Sequence, residues 1–113
     1  MQNRLALINE IINIPKDLPK YITELWEFTW DYEGDKILMW KQHILKLFAK
    51  YRDGYIDYDY LTLWADILEL RDEIEYEAPN EDIISEILSI LSSPEINGKL
   101  TESDIDTYIK RLL

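Results

Sequence analysis

The chain has 113 residues, no cysteine, and 23 acidic against 12 basic side chains, for a formal net charge of −11. That length suits one domain with a core large enough to need no staple, and the missing thiols exclude disulfides, zinc–thiolate sites and thiol catalysis. A field of this sign repels phosphate backbones, so direct nucleic-acid binding is disfavoured and a basic partner is favoured.

No apolar run reaches the roughly 18 residues of a membrane span. The first segment carries Asn9, Glu10 and Asn13 among its apolar residues, with no secretory h-region or cleavage site. The expectation is a cytoplasmic protein that does not engage a membrane.

Residues 2–13 predict a first helix, with Leu5, Ile8, Ile11 and Ile12 inward and Pro15 as its stop. Asp17 caps a second helix that tolerates Pro19 in its first turn and runs to about Trp30. It buries some of Ile22, Leu25, Trp26 and Phe28, and Asp31–Gly34 is a turn. Asp35 opens a third helix ending near Tyr51, on the spacing of Ile37, Trp40, Ile44, Leu47, Phe48 and Tyr51. Lys36, Lys41, Lys46 and Lys50 make it the most basic element, and Gly54 supplies a left-handed stop.

The fourth helix, about Asp57 to Asp72, organises the rest. Tyr60, Leu61, Leu63, Trp64, Ile67, Leu68 and Leu70 recur at the spacing of a buried face. Asp59, Asp66, Glu69 and Glu73 fall on one acidic stripe if the helix continues that far. The segment Glu73–Pro79 then breaks the pattern, because Pro79 biases Ala78 away from helix. Asn80 caps a fifth helix, Glu81 to Ser92, with Ile84, Ile87, Leu88 and Leu91 inward. Pro94 to Leu100 is a loop, and Thr101 with Asp104 forms an acidic capping box for a last helix. That helix turns Ile105, Tyr108, Ile109 and Leu112 inward. The fold class expected is all-α, a single compact bundle of five to six helices over residues 1–113.

Charge is unevenly placed. Residues 51–82 carry two basic and eleven acidic side chains, net −9, whereas residues 1–50 carry seven of each. Within and around the acidic segment, Tyr55, Tyr58, Tyr60 and Tyr76 alternate with acids. Tyrosine is rigid, amphipathic and enriched at interfaces, and Tyr58, between Asp57 and Asp59, reads as an exposed contact. Trp40 and Trp64 read as core. An acidic surface also serves solubility alone, and the third helix's lysines offer internal partners if the two elements lie side by side. The clustering of acids with tyrosines favours a binding surface made of Asp57, Tyr58, Asp59, Asp66, Glu69, Asp72, Glu73, Glu75, Tyr76 and Glu77.

Catalysis has little support. His43 is the one histidine, it has no identifiable partner, and three glycines build no phosphate cradle. Two segments resemble half of a calcium loop, Asp53–Asp57 and Asn97–Asp104, but the full register fails. The first would open on Ala49 and Tyr51 and close on Tyr60, and the second opens on Ser93. Neither an enzyme, nor a metal site, nor a cofactor is expected.

The segments WADILELRDEIEYE (64–77) and ISEILSILSSPEINGKLT (84–101) resemble those of small acidic helical immunity proteins of bacterial contact-dependent growth inhibition and colicin-like toxin systems. That resemblance implies a cytoplasmic protein that binds a cognate basic toxin domain, often an RNase or DNase, and blocks it. The alternative is a helical adaptor or regulatory domain that engages an apolar groove or helix through Trp26 or Trp30.

Overall fold

A computed structural model describes residues 3–29, 31–69 and 71–113; the expectations placed on Trp30 and Leu70 lie outside the described residues. Asn3 starts the first helix by accepting a 2.8 Å hydrogen bond from the Ala6 N–H. Helix α1 (Arg4–Ile12) buries Leu7, Ile8, Ile11 and Ile12. It ends where Ile14 takes φ 62°, a left-handed conformation costly for a β-branched residue. Burial of the Ile14 side chain offsets that strain. Asp17 caps α2 (Leu18–Leu25), with Pro19 inside its first turn as expected. The helix stops short of residue 30, and Trp26, just past its end, is 71% exposed.

The third expected helix is corrected at its start. Ile37–Met39 form strand β1, and α3 begins only at Lys41, running to Arg52. Trp40 is the N-cap residue with extended backbone, so it lies off the helix's inner face and is 49% exposed rather than core. His43 occupies the third helical position, where its Nδ1 accepts a 2.9 Å hydrogen bond from the Trp40 N–H. Burial first, and then Lys46, holds the His43 pKa below its ordinary 6.5, while Glu77 pulls the other way.

Only neutral imidazole can accept that bond. A histidine whose folded pKa is lowered contributes stability that is complete above the unfolded value and is lost as pH falls through the folded one. Between about pH 7 and 5 the melting temperature should therefore fall. Glutamine at this position keeps a capping side chain without titrating. His43→Gln should flatten that part of a thermal-melt pH series; an unchanged slope would assign it to other groups.

Asp57 caps α4 (Tyr58–Leu68) through a 2.8 Å bond from the Tyr60 N–H. This helix touches α1, α2, α3 and α5, so its central position agrees with the sequence reading. The Trp64 indole N–H donates 2.7 Å to the Ile11 carbonyl, which also accepts 3.0 Å from the Ile14 N–H at the end of α1. The Tyr60 hydroxyl donates to the Pro15 carbonyl. The helix ends four residues earlier than the spacing predicts: Glu69 turns to ψ 129°, extended.

After that turn the chain forms strand β2 (Ile74–Tyr76), which pairs in parallel with β1 in the register Ile37–Ile74, Leu38–Glu75, Met39–Tyr76. Hydrogen bonds from Ile37 N–H to Glu73 C=O (2.8 Å) and from Glu77 N–H to Met39 C=O (3.0 Å) bracket the ladder. Met39 and Ile74 face the core; Glu75 faces solvent. A 3-10 turn (Ala78–Asn80) leads into α5 (Glu81–Ser92), which lies along α4 and buries Ile83, Ile84, Ile87, Leu88 and Leu91.

A short helix, α6 (Pro94–Asn97), replaces the expected loop. Helix α7 (Glu102–Leu112) starts with the expected capping box, Asp104 N–H to Thr101 Oγ1 at 3.1 Å and Thr101 N–H to Asp104 Oδ2 at 2.9 Å. Those bonds lower the Asp104 pKa. The chain is mostly helical, but the described residues form seven α-helices and a two-stranded parallel sheet, not a bundle of five to six.

Candidate interaction surface

The ten residues of the expected surface do not stay together. Glu73 is fully buried, which corrects its place on an exposed stripe. The turn at Glu69 takes the chain out of helical spacing, and Glu73 ends between two arginines. Arg71 grips it bidentately, Nε to Oε1 and Nη2 to Oε2, both at 3.1 Å. Arg4 brings its Nε to 3.3 Å from Oε2, close enough for charge attraction but off the line of a hydrogen bond. Its other nitrogens donate to the Thr29 and Asp31 carbonyls. The rings of Phe28 and Tyr32 face its guanidinium at 5.2 and 5.1 Å. A buried and a partly buried cation around one carboxylate are thus tolerated because carbonyls and ring faces take the second charge.

Tyr58 is also corrected from exposed to buried, at 8% exposure. Its ring meets Tyr51 edge-on at 5.9 Å, and its hydroxyl accepts a 2.8 Å bond from the Leu100 N–H. Burial raises its pKa. Glu69 is half-buried and accepts from the Ser92 hydroxyl at 3.2 Å, tying the end of α4 to the end of α5. Glu77 is half-buried and accepts from the Lys41 N–H and the Asn80 amide. It joins the start of α3 to the turn after β2.

The remaining acids are exposed. Asp59 and Asp66 sit two turns apart on the outer side of α4, with Thr62 and Leu63 between them. Asp57 is exposed while capping the same helix. Asp72 and Glu75 are exposed around β2. Among the described residues none of these five makes an ion pair, and the lysines of α3 make none either. The ion pairs present elsewhere use arginines: Arg52 with Glu102 and Asp106, and Arg111 with Glu86.

A groove of about 710 Å³ runs along β2 and the turn that follows. It gathers four of the expected residues, Asp72, Glu75, Tyr76 and Glu77. Leu38, Ile74, Ala78 and Pro79 give it apolar lining. Glu81, in the first turn of α5, adds a further carboxylate, and Lys36 adds the one cation not committed to Glu73. Lys36 Nζ donates 2.7 Å to the Asp72 carbonyl.

The sequence reading missed Lys36, Leu38, Pro79 and Glu81 as members of one site. The parallel ladder brings them together, and nothing local in the sequence marks it. Among the described residues no cluster of three His, Asp or Glu side chains is close enough to hold a metal ion, and no helix is long and apolar enough to cross a membrane. No protein-family model matches this chain, and neither a curated protein nor a solved structure is significantly similar to it.

Proposed function

We propose that this chain is an immunity-type inhibitor that binds a basic toxin domain, an RNase or DNase, in the cytoplasm and blocks the surface with which that domain holds phosphate. It acts by binding and not by chemistry. The observation that carries the reading is the set of exposed carboxylates without an ion pair among the described residues, Asp57, Asp59, Asp66, Asp72 and Glu75, gathered in the net −9 segment. The chain has 12 basic side chains, and among the described residues none of them forms an ion pair with these five. A nuclease surface that binds phosphate presents the complementary charge.

Long-range attraction of this kind speeds encounter and is screened by salt. Association with a basic nuclease domain, sought first in the adjacent reading frame, should be fast at low ionic strength. The combined variant Asp59→Lys, Asp66→Lys, Asp72→Lys should slow it by about tenfold or more and weaken protection in co-expression. An association rate and a protection both unchanged in that variant would remove the acidic surface from the inhibitor's mechanism.

A second reading draws on Trp26, whose indole is 71% exposed at the end of α2. A helical adaptor would use it as an apolar anchor. Partner binding through Trp26 would be nearly independent of salt and would be lost in Trp26→Ala.

A further inference from the structure

We propose that the groove along β2 is the docking site for an extended basic segment of the protein partner, with the stem of a lysine or arginine on its apolar lining and the cationic head among Asp72, Glu75 and Glu81. This rests on the reading above and names the part of the surface that takes the partner.

Shape comes first. A volume of about 710 Å³ falls within the range of sites that enclose a ligand of a few residues. The outer side of α4 is a convex helix face, so Asp59 and Asp66, two turns apart along it, do not converge on one ligand. Along β2 the carboxylates rim a concavity, where low-dielectric walls concentrate the field.

The lining is the second point. Leu38, Ala78 and Pro79 supply apolar area beside the acids. Long basic side chains bury their methylenes on such area while their heads stay among polar groups. A small inorganic cation would not use it, and the acids are too dispersed to chelate one.

Charge availability is the third. Glu77 is engaged with the Lys41 N–H and the Asn80 amide, and Arg71 is engaged with Glu73. Asp72, Glu75 and Glu81 have no ion pair among the described residues. The groove already holds one ammonium: Lys36 Nζ rests on the Asp72 carbonyl at 2.7 Å. An incoming cation must share that end of the groove with Lys36 or displace it. Lys36 therefore acts as an internal competitor, and its removal should strengthen binding while removal of the acids weakens it.

The probe is a short blocked peptide alternating arginine and leucine, titrated into the ¹⁵N-labelled full chain, with the citrulline-for-arginine peptide as control. Amide shifts should concentrate at residues 36–38 and 72–81, and the citrulline peptide should bind about tenfold more weakly. Asp72→Asn with Glu75→Gln should weaken the arginine peptide by about tenfold. Lys36→Gln should tighten it about threefold, with an unchanged melting temperature in each variant. Shifts centred on Asp59–Asp66, or spread over the whole surface, would overturn the docking site. So would a Lys36→Gln variant that binds no better than wild type. If the groove fails in this way while a basic nuclease domain still binds with steep salt dependence, the inhibitor reading survives without it. If the peptide seats in the groove but no such domain is neutralised, the inhibitor reading fails and the docking site stands.

Discussion

Glu73→Ala is expected to lower the unfolding free energy by about 3–5 kcal/mol. The carboxylate is fully buried and Arg71 is 6% exposed, so its loss removes the bidentate anion that balances a guanidinium held out of solvent. Arg4 would keep the Thr29 and Asp31 carbonyls but lose its nearby anion. A domain of this size has about 5–15 kcal/mol in total, so this one change consumes a large part of it. Glu73→Gln preserves the shape and one acceptor oxygen and should cost less.

The control is to remove the whole network: Arg4→Met, Arg71→Met, Glu73→Leu together should come out far closer to wild type than Glu73→Ala alone, since a buried ionic group replaced by apolar residues is often neutral. Urea midpoints with unchanged m-values measure each step. A loss under about 1 kcal/mol for Glu73→Ala would mean that water reaches the site.

Trp64→Ala should cost about 3–5 kcal/mol, for a different reason. Trp64 is fully buried on α4, the helix that touches α1, α2, α3 and α5. Alanine leaves a void that those neighbours cannot all close, and it also removes one donor to the Ile11 carbonyl, which keeps the Ile14 N–H. Trp64→Phe separates the two effects. It keeps an aromatic ring in place and gives up the indole N–H, for roughly 1 kcal/mol from the bond plus a smaller cavity. If phenylalanine proved as damaging as alanine, the hydrogen bond would outweigh the packing.

Trp64 shows what was legible in the sequence. Its burial follows from a three-and-four spacing sustained over a full helix, and such patterns survive folding because they are local. The caps at Asp17 and Thr101 are legible for the same reason: each involves a donor within three residues.

Glu73 shows the limit. Its place on an acidic stripe assumes that the helix continues, yet the chain turns at Glu69, and its partner Arg4 lies near the other end of the sequence. The two strands are three residues each, too short for a period of two to compete with a period of 3.6. Ile37 therefore fits a helical pattern with Ile44, and Trp40 fits it too while sitting outside the core. Of the candidate surface, the charge excess was legible and its partition was not. Which acids cap, brace, hide or remain open depends on contacts that the ladder and the α4–α5 packing create.

The parallel direction of that ladder has a kinetic consequence. A hairpin could zip from a tight turn, but here both α3 and α4 must intervene before the second strand can lie beside the first. Closing so long a loop for three residue pairs gives little return until the intervening helices have docked, so the ladder belongs among the late events of folding. Half-finished chains would display the carboxylates of the 51–82 segment without the concavity that orders them, and a partner shaped to that concavity would recognise only finished molecules.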